Sequence, residues 1–206
     1  ILLEASTVLL AVRDDAIVEV ASKLVGTGLI TKNHVFVHCS GSVSADEAFG
    51  HVRDKIGGGG VLHPLRAIAD GRGAMRSLAG TTFGIEGDEI GKARSRAIAQ
   101  AIGGEILELS GGQIAAYHAA AAVVSNYLVA LVDVGAELLD QVGIGRRQAI
   151  DALLPLASGT LENLRERGLP GALTGPIRRG DKDTVARHLQ ALESSDELTE
   201  VYRVLG

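Results

Sequence analysis

Aromatic residues, sulfur and clustered positive charge are all scarce in this sequence. Trp is absent, Phe and Tyr number three each, and aromatics make up 3% of the 206 residues, so a core must be built from Ala, Val, Leu and Ile. With hydrophobic residues at 46% there are enough of them, for one large domain or two modest ones. A single cysteine, Cys39, excludes an internal disulfide and fits a reducing compartment. The net charge of −5 argues against a nucleic-acid surface, which needs clustered Lys and Arg to displace counterions. Arg146 with Arg147, and Arg178 with Arg179, are pairs rather than patches. No signal peptide is readable, since Arg13, Asp14 and Asp15 interrupt the only apolar start, and a cytoplasmic location is expected.

One long apolar run is present: residues 114–132 are nineteen residues without a formal charge. A membrane-spanning helix needs about 20. This run is rich in alanine and carries Tyr117, His118, Ser125 and Asn126, with no basic cluster or Trp belt beside it. It reads as a buried helix of a soluble protein, with no membrane partner.

The first half alternates between strand and helix patterns. Strands are expected at 6–12, 34–38, 61–63, 81–87 and 105–110, from short β-branched apolar runs. Helices are expected at 15–26 behind Asp14 as N-cap, at 44–57 behind a Ser44/Glu47 capping box, and at 88–104 behind Asp88. The glycines 57–60 read as a loop, and the stretch between the third and fourth strands as irregular. Strands alternating with single helices predict a parallel sheet. After residue 110 the strand signal ends. Helices are expected at 113–142, 145–167 with a kink at Pro155, 181–193 and 195–205, and 172–181 reads as a turn-rich connector. The expected class is α/β: a Rossmann-like parallel sheet over 1–110, followed by an all-α domain over 111–206.

Ligands of parallel sheets bind beyond the carboxyl ends of the strands. Arg13-Asp14, His38-Cys39-Ser40-Gly41 and His63-Pro64 stand there. Asp14 reads first as a helix cap. Ser40-Gly41 is either a turn or a place where backbone N–H groups approach a ligand. Pro64 bars its predecessor from the α region, which holds His63 extended at the strand mouth. There it bonds either a substrate carboxylate or carbonyl, or a neighbouring loop carbonyl. His38, Cys39 and His63 lack the spacing of a zinc site, and no metal is expected. On the 113–142 helix His118 and Ser125 share a face, with Asn126 about 80° round from His118 and with Tyr117 and Tyr127 flanking. These polar groups either satisfy buried backbone acceptors or form a site, with His118 polarising a carbonyl and Asn126 orienting it.

The segments HCSG (38–41), LHPL (62–65), FGIEGD (83–88), YHAAAAVVSNYLVAL (117–131), GTLEN (159–163) and LTGPIRRGD (173–181) together resemble the Rossmann-like proteins with a helical C-terminal DUF2520 domain. That family lies in the broad 6-phosphogluconate-dehydrogenase-like class. The resemblance implies an NAD(P)-binding domain, a helical domain that commonly dimerises, here through the 113–142 helix, and an active cleft between them. It implies hydride transfer to or from a small oxo acid, hydroxy acid or imine, with ketopantoate as the first specific guess. By the same resemblance, catalysis falls to His118, Asn126, His63 and Ser125. Val12, Asp14, Ser40 and Gly41 would border the nicotinamide, and Thr174, Arg178 and Arg179 the substrate. The family's opening strand–GxGxxG–helix unit is not among these residues, and Arg13 stands where many relatives have Pro. The preference between NADP and NAD is therefore not readable. The competing reading is a non-catalytic, dimerising ligand-binding module built on a truncated Rossmann domain.

Overall fold

The computed structural model describes residues 4–68 and 78–206. Part of the irregular stretch expected after the third strand lies outside the described residues. Five strands form one sheet in the order β1 (Thr7–Leu10), β2 (Val35–His38), β3 (Gly58–Pro64), β4 (Thr82–Gly87) and β5 (Glu105–Glu108). Helices α1 (Ile17–Gly26), α2 (Ala45–Phe49) and α3 (Glu89–Ala101) accompany it. Then follow α4 (Ile114–Gln141), α5 (Arg146–Gly171), α6 (Gly175–Arg179), α7 (Lys182–Leu192) and α8 (Asp196–Leu205). The chain divides into two compact units, Ile1–Asn126 and Tyr127–Gly206, so the division falls inside α4.

Period-two alternation sorts the core of the first unit onto two faces. Phe36 joins Leu10, Ile17, Ala21 and Phe49 under α1 and α2, while its neighbours Val35 and Val37 join Leu62, Phe83, Ile85 and Ala99 under α3. A strand buried on both faces is a continuous apolar run, as the fully buried β2 is. The capping box of α2 is present in full, and Asp88 caps α3 by accepting from the Gly91 N–H. The helix behind Ser44 is shorter than its pattern, because α2 passes into a 3-10 turn at Gly50–Val52.

Two expectations are corrected by the sheet. Gly58, Gly59 and Gly60 are strand residues, not a loop. α3 and α2 crowd β3 from opposite faces. A Cβ on Gly60 would meet the Gly91 backbone at 2.8 Å, and one on Gly59 would meet the Phe49 ring at 2.9 Å. Glycine in a strand interior marks such close approach. The sheet is also mixed: β1–β2, β2–β3 and β4–β5 are parallel, but β3–β4 is antiparallel. Antiparallel neighbours need no crossover helix.

The second unit is helical. Gly135 of α4 lies against Leu153 of α5, and Arg146 pairs with Asp133. The break in α5 falls at Gly168–Leu169 rather than at Pro155. Gly168 takes φ +60 without steric cost, and Pro170 holds Leu169 extended at φ −96, ψ 138. The turn-rich connector contains the five-residue α6.

α4 is long and apolar enough to cross a membrane by length and composition alone. Within the chain it is not the buried helix its composition suggests. Of its residues only Ile114, Tyr117 and Ala136 are buried, while Val123, Val124, Tyr127, Val129 and Leu131 are exposed.

Candidate functional site

Register decides what gathers at the sheet's edge. β2 ends at His38, opposite Val61, while β3 runs on through Leu62, His63 and Pro64. On its other side β3 meets the first residues of β4, with His63 opposite Gly84 and Pro64 opposite Phe83. His63 shares its face with Val61 and with its cross-strand partner Gly84. Tyr117, from the first turn of α4, packs on that face beside Val61, Ala45 and Leu109.

There the side chains converge. Tyr117 Oη lies 2.8 Å from His63 Nδ1, and the two rings stand perpendicular with centroids 5.5 Å apart. The next residue of the helix, His118, brings its exposed ring to 6.2 Å from that of His63. Gly41, at the end of the turn after β2, abuts the His63 ring so tightly that a Cβ would stand 2.7 Å from Nε2. Gly84 does the same for the phenol, where a Cβ would stand 2.6 Å from Cζ. Two glycines thus leave the space that the His63–Tyr117 pair fills. Burial lowers the His63 pKa below the ordinary histidine value, and His118 adds to this, while the Asp14 carboxylate opposes it. The ring is therefore neutral at pH 7.

Behind this cluster the β2 turn is tied down by side chains. Ser40 Oγ accepts from the N–H groups of Ser42 and Val43, and Ser42 Oγ donates to Asp14 Oδ2 at 2.7 Å. Asp14 is thus not the cap of its helix. It opens a 3-10 turn, Asp14–Ala16, that leads into α1, whose cap position is held by Ala16 without a side-chain capping bond, while Arg13 pairs with Asp15. The backbone N–H of Ser40 donates to His38 Nδ1 at 3.2 Å. His38 does not open at the strand mouth. It is fully buried against Phe49, and burial pulls its pKa down to about 4. Its Nε2 has no hydrogen-bond partner among the described residues. Burial also raises the Cys39 thiol pKa.

The other expected site residues are placed as follows. Val12 is exposed beyond β1, and Ser40 and Gly41 are buried in the turn. Ser125 and Asn126 are exposed on α4 about 10–12 Å along the axis from His118, by helical rise. Thr174, Arg178 and Arg179 belong to the second unit, where Arg178 donates to the carbonyls of Gly171 and Leu173.

Sequence reasoning gave Tyr117 only a flanking place. The signal that would have found it is Gly84, a glycine inside an otherwise bulky buried strand, because such a gap marks the approach of another group.

The cluster fits the nicotinamide end of a dinucleotide better than its phosphates. An exposed Val12 offers an apolar surface, while the space beside the buried Gly41 is taken by the His63 ring. The junction of β1 and α1 carries Arg13, Asp14 and Asp15, and the two carboxylates repel a pyrophosphate there.

Residues 81–206 match the family described as "Domain of unknown function (DUF2520)". No curated protein matches the chain in sequence. Among solved structures, protein TM1727 from Thermotoga maritima is similar at 26% identity and TM-score 0.81, over 98% of this chain and 75% of that one. The candidate NADP oxidoreductase BF3122 from Bacteroides fragilis is similar at 24% and 0.72, over 99% and 76%. Plasmodium falciparum pyrroline carboxylate reductase with NADP bound is similar at 11% and 0.61, over 100% and 79%. At the latter two identities the likeness is one of fold.

Proposed function

The chain belongs to the DUF2520 family, and from that membership and the strand-mouth geometry we propose that it is an NAD(P)-dependent oxidoreductase acting on a small oxo acid, hydroxy acid or imine. The observation that carries this reading is the cluster of His63, Tyr117 and His118 against Gly41. It combines a half-buried neutral imidazole, an exposed imidazole and a phenol at the edge where ligands of such sheets bind. The fold shared with NADP-named proteins supports it.

A nicotinamide, when bound, supplies or accepts the hydride. Val12, Asp14, Ser40 and Gly41 border its place. His63 bonds the substrate's carbonyl or imine, and His118, open to solvent, delivers the proton to the developing alkoxide or amide nitrogen. Ser125 and Asn126 extend the polar lining of α4. Ketopantoate heads the substrates to be tried.

The exposed apolar surface of α4 supports a homodimer formed through residues 113–142. The helix is then buried by a second copy rather than by its own chain, in a soluble, cytoplasmic protein.

Fluorescence titration with NADPH and NADH, followed by turnover on a panel of 2-oxo acids, tests the reading. We expect saturable binding of one nucleotide and reduction of at least one acid. A dimer that binds neither nucleotide would favour the non-catalytic module.

A further inference from the structure

One ring nitrogen of His63 is already committed, and that commitment fixes the state of the other. The phenol of Tyr117 is buried, and its oxygen has one proton to place. Two acceptors are within reach, His63 Nδ1 at 2.8 Å and the His63 carbonyl at 3.5 Å. The first has ordinary hydrogen-bond length and the second is too long to compete. The reverse arrangement, with Nδ1–H donating to Tyr117, would leave the buried phenol proton only the distant carbonyl.

With Nδ1 occupied as an acceptor, a neutral His63 carries its proton on Nε2. Gly41 packs over the ring at its Nε2 end, where a Cβ would stand 2.7 Å from Nε2 and 2.8 Å from both Cδ2 and Cε1, so the in-plane Nε2–H points past it. We propose that Tyr117 is a positioning residue that locks His63 as the Nε2–H tautomer, so that His63 presents a hydrogen-bond donor beside Gly41 to a ligand's carbonyl oxygen or imine nitrogen. The role of that donor rests on the oxidoreductase reading; the tautomer itself does not.

Two-bond ¹⁵N–¹H correlation spectra of the full labelled chain at neutral pH read the tautomer directly, with the His63 signals assigned by their loss in His63→Gln. Wild type is expected to show Nδ1 unprotonated and Nε2 protonated. Tyr117→Phe should lower the ratio of Nε2–H to Nδ1–H by about fivefold, the change one net hydrogen bond produces. A wild-type His63 protonated on Nδ1, or a ratio unmoved by Tyr117→Phe, overturns the proposal. Should Tyr117→Phe fail to fold, the wild-type spectrum alone decides. A locked tautomer in a chain that binds no nucleotide would uphold this inference while removing the oxidoreductase reading.

Discussion

Gly91 of α3 lies so close to Gly59 of β3 that a Cβ on it would stand 2.0 Å from the Gly59 carbonyl oxygen. The obstacle is backbone on both sides, so no side chain can swing away. Gly91→Ala should therefore cost at least about 3 kcal/mol of stability, the upper part of the overpacking range, or prevent folding. Gly26, the last residue of α1, has nothing within 4 Å of its would-be Cβ. Gly26→Ala should be neutral or stabilising by up to about 1 kcal/mol. Urea unfolding of both variants checks the contrast, and equal effects would contradict the close α3–β3 contact.

His38 gives the protein an acid limb. Its pKa is about 4 when folded, against roughly 6.5 unfolded. Between those values the unfolded chain binds a proton that the native one refuses, so stability rises with pH across the window and is lost as pH falls from about 6.5 toward 4. The loss reaches about 3 kcal/mol when the window is fully crossed. His38→Asn keeps an acceptor for the Ser40 N–H and carries no titratable ring. Urea midpoints measured from pH 7 to pH 4 should fall less steeply for the variant than for wild type. Identical slopes would mean that His38 is not the group responsible.

Should the proposed reduction be found, His118→Ala separates chemistry from binding. Loss of a positioned proton donor lowers kcat by about 10²–10⁴-fold. The affinity for NADPH should change by less than twofold, roughly 0.4 kcal/mol, since the contacts expected to border the nicotinamide lie on the β1 and β2 turns. Steady-state rates and fluorescence titration measure the two effects, and an unchanged rate removes the role given to His118.

The exposed face of α4 predicts an oligomer. Val124 is 68% exposed in the single chain. A glutamate there should turn a dimer into a monomer by light scattering while leaving the far-ultraviolet circular dichroism unchanged, because a charge in a dimer's apolar centre lacks a partner. A monomeric wild type, or one recovered only from the detergent-solubilised membrane fraction, would oppose the homodimer proposal.

Local chemistry made much of the fold legible. Ser44 with Glu47, Asp88, and the alternation that puts Phe36 on one face and Val35 and Val37 on the other are written in spacings of two to four residues, and all three are present. The site was half legible. His63 and His118 are polar groups where apolar ones are expected, and they do come together. Tyr117 was missed because its partner is 54 positions away. Asp14 was misread because a carboxylate before a helix looks like a cap until Ser42, 28 positions on, claims it.

What the sequence determined by itself was therefore whatever depends on neighbours along the chain: helix starts, strand faces, and the strand-then-helix order of the two halves. Only the tertiary structure decided that three glycines form the crowded middle of a sheet, that β4 runs against β3, and that Gly41 and Gly84 make room for an imidazole and a phenol. Each of these turns on which distant segments approach within van der Waals reach, and no periodicity in one segment encodes the shape of another.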